Sequence, residues 1–89
     1  MIVSVPCNRA DAKRGVLLTS RELWLTGYGI DDVSAMRDLK EGIEAWCRAM
    51  SRNEPLRQAL ERHNIECEDD GNSETKVRVV LPVGERPAA

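Results

Sequence analysis

DDVSAMRDLKEGIEAWCRAM, Asp31 to Met50, is the stretch whose reading decides the fold. Its apolar or small residues, Ala35, Met36, Leu39, Gly42, Ile43, Trp46, Ala49 and Met50, recur in steps of three and four. That spacing gathers them on one broad face of an α-helix. Arg37, Asp38, Lys40, Glu41, Glu44 and Arg48 fall on the opposite face, facing solvent. Asp31 suits the N-cap, where a carboxylate accepts the free amides of the first turn, and Asp32 places a second negative charge at the positive end of the helix dipole. Gly42 is a poor helix former in the middle of the stretch, and its expected use is close approach to a sheet.

Upstream, Ile2 to Val5 is a short β-rich run stopped by Pro6. The polar segment Cys7 to Arg14 reads as a connection, and Val16–Ser20 and Leu23–Tyr28 read as two further strands, loosened at Gly27 and Gly29. Short strands with tight connections predict an antiparallel meander. Downstream, Asn53 is the expected cap of a second helix with Pro55 in its first turn. Leu56, Ala59, Leu60 and His63 give that helix its stripe, and Asn64 ends it in the left-handed region. Glu66 to Glu74 holds five acids and no base, and reads as a solvated turn. Thr75 to Val83 is a fourth strand, with Val77, Val79 and Leu81 on one side and Lys76 and Arg78 on the other.

The expected fold class is α+β, in the order β-β-β-α-α-β: a three- to four-stranded, mainly antiparallel sheet with helices on one face. A single domain is expected over residues 1–83, with 84–89 as a loose tail. The chain has 89 residues, 42% hydrophobic and 31% charged, which suits one globular domain. With no Phe and only Trp24, Trp46 and Tyr28 as aromatics, the core is expected to be aliphatic. A net charge of -2 gives no general attraction to nucleic acid or to an anionic membrane. No run of 18 apolar residues is present, and a cytoplasmic location is the expectation.

Cys7, Cys47 and Cys67 are an odd set without paired spacing, which favours free thiols over a disulfide framework. Together with His63 they contain the residue types of a Cys₃His zinc site, but no C-x₂-C knuckle brings them together, so the expectation is no metal and no cofactor. The runs Ile2–Val5, Val16–Ser20 and Trp24–Tyr28 contain no Asp or Glu, which speaks against a metal-dependent nuclease and against catalysis in general.

At this point the residues from Ser20 to Trp46, SRELWLTGYGIDDVSAMRDLKEGIEAW, resemble the HicB-like antitoxin family. Ser20-Arg21-Glu22-Leu23 matches the family's turn, Tyr28-Gly29 its strand end, and Asp31 its helix cap. Ala35, Asp38-Leu39, Lys40-Glu41 and Ile43-Glu44 match its helix signature. Leu23-Trp24-Leu25 stands where the family usually has Pro-Gly, and nothing after Leu81 is long enough for its DNA-binding module. The resemblance implies a degenerate RNase H-like sheet and a protein that covers the active site of a small RNA-cleaving toxin.

The sheet pattern adds its own expectation. Leu17 and Leu18 are both apolar, and Leu23/Leu25 oppose Trp24/Tyr28 by parity, so apolar groups remain on whichever face the helices leave open. Trp24 and Tyr28 are therefore candidate partner-binding residues, as is the basic cluster Arg9, Lys13 and Arg14. A homodimer, through that face or through strand edges, is expected. Glu68, Asp69 and Asp70, in the acidic run, are a second candidate surface. They support an alternative function, a mobile-element or phage-type inhibitor of a nucleic-acid-handling complex.

Overall fold

In the computed structural model, which describes residues 1–81, the chain is α+β, with six strands and two helices. The strands are β1 (Ile2–Pro6), β2 (Asn8–Ala12), β3 (Gly15–Ser20), β4 (Leu25–Gly29), β5 (Glu66–Glu68) and β6 (Lys76–Val80). The helices α1 (Asp32–Ser51) and α2 (Leu56–Arg62) lie between β4 and β5 in the chain. Six strands stand where four were expected. The polar segment after Cys7 is itself a strand, and the acidic run begins with one.

The strands form two three-stranded sheets, β5-β1-β6 and β2-β3-β4. The second is an antiparallel meander, with Leu18 opposite Gly27 and Leu17 opposite Tyr28; its first strand is Asn8–Ala12, whereas the expected first strand, Ile2–Val5, lies in the other sheet. In the first, β1 pairs antiparallel with β5 and parallel with β6. Only Cys7 separates β1 from β2, so one extended segment serves both sheets. Asn8–Ala12 hid as a strand because its pairing is to an apolar neighbour, β3, while its own side chains are polar or only alanine. Backbone pairing does not ask for hydrophobicity on an edge strand.

Parity along β1 then defines the core. Val3, Val5 and Cys7 are buried, joined by Val16 and Leu18 of β3 and Val77 of β6. From the helices come Ala35, Leu39, Ile43, Cys47, Ala59 and Leu60, so the helical stripe of α1 is centred on Ala35–Leu39–Ile43–Cys47. Met36 lies at the margin of that stripe, 36% exposed. The core is aliphatic and thiol throughout, as the composition predicts.

Asp31 is the N-cap of α1, and the cap is a reciprocal one. Its carboxylate accepts from the Ser34 backbone amide at 2.8 Å, and the Asp31 amide donates to Ser34 Oγ at 3.2 Å. These bonds hold the Asp31 carboxyl below the usual carboxylate range. At α2 the position of the cap falls on Pro55, with no side-chain hydrogen bond, rather than on Asn53. Asn64 follows α2 with φ 57°, the expected left-handed stop.

Gly42 corrects a further expectation. A Cβ there would meet nothing within 4 Å, so this glycine does not bring the helix onto a sheet. The close approach occurs at Gly27 and Gly29 of β4. A Cβ on Gly27 would sit 2.5 Å from Leu39 Cβ and 2.6 Å from the Ala35 carbonyl oxygen. On Gly29 it would sit 2.3 Å from Ser34 Oγ. The first two turns of α1 therefore cross β4 almost backbone to backbone. The fourth strand ends at Val80, and the expected tail at 84–89 lies outside the described residues.

Candidate partner-binding surface

The turn between β3 and β4 is built by Ser20, whose fully buried hydroxyl accepts from the Leu23 amide at 3.3 Å. Leu23 turns inward and is buried, and Trp24 takes φ 56°. A left-handed conformation is uncommon for a bulky residue, and it points the indole away from the core. Trp24 is 89% exposed. Four residues further along β4, Tyr28 is 49% exposed, on the sheet face opposite the helices.

A second exposed group follows at the start of α1. Ile30 is 81% and Val33 68% exposed, and Met36 lies one helical turn beyond Val33. Ile30 immediately precedes the cap, where a residue commonly packs back on the helix, and here it does not. Ile30, Val33 and Met36 therefore leave exposed apolar area at the start of α1, while Tyr28 lies on the other face of β4. Sequence spacing offered a signal for the pair that was missed. Ile30 and Val33 fall off the Ala35–Leu39–Ile43 ladder, yet they are large and apolar.

The edge of β4 is closed beside this group. The Tyr28 amide donates to Asp38 Oδ2 at 2.9 Å, so a helix side chain takes a donor that an added strand would need.

The basic cluster is divided. Arg9 Nε donates to Asp32 Oδ1 at 2.8 Å, and its Nη1 lies 3.1 Å from Asp11 Oδ1. The Asp32 hydrogen bond, ahead of the surrounding charges, raises the Arg9 pKa. Arg9 thus ties β2 to the first turn of α1. Lys13 and Arg14 stand exposed in the β2–β3 turn. The register pairs Val16 with Gly29, so this turn lies at the same end of the meander as Ile30. Trp24 lies at the other end.

Glu68, Asp69 and Asp70 belong to the other sheet and its loop. Asp70 accepts from the Met1 amine at 2.8 Å, and also from the Asn72 amide. The Met1 contact leads in pulling the Asp70 carboxyl far below the usual carboxylate range. Asp69 accepts from the Gly71 amide. Asp69 and Asp70 thus spend acceptors on their own loop, whereas Glu68 is exposed on β5.

Cys7 and Cys47 are buried and Cys67 is half-buried. Burial, ahead of the nearby Glu44, raises the Cys47 pKa and keeps its thiol protonated. His63 packs edge-on against Trp46 with ring centroids 5.2 Å apart, and its Nδ1 lies 3.2 Å from the Glu22 carbonyl oxygen. Among the described residues no three His, Cys, Asp or Glu side chains converge in a metal-binding group. A cleft of about 280 Å³ opens between α1 and β6, lined by Glu44, Cys47, Arg48, Ser51, Leu56, Thr75 and Val77. Also among the described residues, no helix is long and apolar enough to cross a membrane.

Compared with known proteins, the chain matches no family model, no curated protein and no solved structure.

Proposed function

We propose that the chain is a non-catalytic interaction protein, similar in role to a HicB-like antitoxin, which binds a partner protein and occludes it. The observation that carries this reading is the exposed apolar group Ile30, Val33 and Met36 at the start of α1, flanked at the same end by Lys13 and Arg14, with Tyr28 exposed on the other face of β4. An apolar centre with a charged rim is the anatomy of a protein-binding patch. A basic rim suits a partner with acidic residues around its own apolar site. Trp24, at the far end of β4, offers a second anchor for a partner long enough to span the strand. The resemblance of Ser20–Trp46 to the antitoxin family points to a small RNA-cleaving toxin as that partner, acting in the cytoplasm.

The alternative, an inhibitor acting through the acidic run, has less support. Asp70 is already paired with the Met1 amine, and the Asp69 and Asp70 carboxylates accept amides of their own loop.

The test is co-purification with the protein encoded beside this one, followed by an RNA-cleavage assay of that neighbour. Equimolar chain is expected to suppress cleavage, and Ile30→Asp with Val33→Asp to abolish suppression while thermal unfolding stays near that of the parent. No association, or cleavage undiminished at equimolar ratio, overturns the antitoxin reading. Metal-dependent RNA cleavage by this chain alone overturns the non-catalytic one.

A further inference from the structure

The sheet β5-β1-β6 has an outer face that neither helix among the described residues covers. Val3, Val5, Cys67, Val77 and Val79 point inward, against or beside the core. By strand parity, Ile2, Ser4 and Pro6 of β1 point outward, with Glu66 and Glu68 of β5 and Lys76, Arg78 and Val80 of β6. The register sets them in rows. Glu68, Ile2 and Lys76 form the first row, Glu66, Ser4 and Arg78 the second, and Pro6 and Val80 the third.

Each of the first two rows thus runs from acid through a neutral centre to base. The acidic and basic columns are two strand spacings apart, about 9.6 Å. None of the four charged side chains takes part in an ion pair among the described residues. The face carries two negative and two positive charges, with apolar Ile2, Pro6 and Val80 between and beyond them. Val80 and the following Leu81 are 40% and 43% exposed.

From this we infer that the outer face of β5-β1-β6 binds a second copy of the chain, through a two-fold axis running along β1. Stacked sheets lie about 10 Å apart. Rotation about that axis places each β5 over the partner's β6. Glu68 then faces the partner's Lys76 and Glu66 faces the partner's Arg78, and both pairs occur twice. Ile2 meets its own counterpart on the axis. A two-fold axis across the strands would instead set β5 on β5 and β6 on β6, like charge on like. The charge columns therefore select both the occupant and the orientation. An acidic or a basic partner would gain from one column and be repelled by the other.

Two strands of five residues and one of three make a patch of at most roughly 15 by 17 Å. That is below the area of a standard interface, so the dimer is weak and salt-sensitive. It uses a different surface from the Ile30–Met36 group and stands whether or not the antitoxin reading does.

Charge reversal tests it. Sedimentation velocity at low salt and several hundred micromolar is expected to show the parent chain near twice its monomer mass, falling to monomer at high salt. Glu66→Lys with Glu68→Lys makes all four positions positive, and Lys76→Glu with Arg78→Glu makes all four negative. Each double variant alone is expected to be monomeric, and an equimolar mixture to form a heterodimer more readily than the parent dimerises. Should a reversed variant fail to fold, Glu66→Gln with Glu68→Gln replaces it, with dimerisation weakened at least tenfold. A parent chain that stays monomeric at low salt overturns the proposal and leaves the face to a different protein. So do double variants that each dimerise as the parent does.

Discussion

Gly27 and Gly42 have the same side chain and opposite consequences. At Gly42 an added methyl group meets open space in the middle of α1. Replacing glycine by alanine there removes backbone freedom from the unfolded chain, so Gly42→Ala is expected to raise stability by about 0.5 to 1 kcal/mol in urea unfolding. At Gly27 the same change drives a methyl into Leu39 and the Ala35 carbonyl. Gly27→Ala is expected to destabilise by about 1 to 3 kcal/mol, since the contact includes helix backbone that cannot step aside. Leu39, fully buried beneath that crossing, is expected to cost about 2 to 5 kcal/mol on truncation to Ala. Sequence spacing identified Leu39 and Ile43 as core residues because a helical ladder reports burial. It misassigned Gly42 because a glycine on the apolar stripe marks no particular crossing point. That point was set by the two glycines of β4, which looked only like turn residues.

At the scale of elements, α1 was legible from cap to final turn because its signals are local: Asp31, Ser34 and the Ala35–Leu39–Ile43 ladder lie within one segment. β2 and β5 were not, because what makes them strands is non-local. Asn8–Ala12 pairs with β3, and Glu66–Glu68 pairs with the start of the chain. The loop between β5 and β6 is pinned in the same non-local way, by the Met1 amine on Asp70 and on the carbonyl oxygens of Asn72 and Glu74. Folding lowers the pKa of Asp70, so its contribution to stability is complete above the usual carboxylate range. It is lost progressively as the pH falls below that range. Asp31 has the same sign through its cap. Thermal unfolding is therefore expected to show a falling midpoint below about pH 4. Asp70→Asn should flatten that fall, and a midpoint independent of pH from 5 to 2 would refute the assignment.

For the whole molecule, the candidate surface was only partly legible. Strand parity set Tyr28 opposite Leu25 without deciding which face is open; the crossing of α1 at Gly27 decides it. The exposure of Trp24 depends on a left-handed backbone that nothing in the residue type announces, and Arg9 looked like a free cation until Asp32 came beside it through the fold. The two proposed surfaces lie on different sheets: partner contact where β4 enters α1, self-association on the outer face of β5-β1-β6. That separation makes a joint prediction about stoichiometry. If both hold, the parent chain and its partner are expected to form a two-plus-two complex at low salt. Glu66→Lys with Glu68→Lys is expected to reduce it to one-plus-one without loss of partner affinity. Ile30→Asp with Val33→Asp is expected to do the reverse, keeping the dimer while losing the partner. Light scattering coupled to size exclusion reads both masses directly. A charge-reversed variant that lost its partner as well would show that the two surfaces are one, with the partner bridging the sheets.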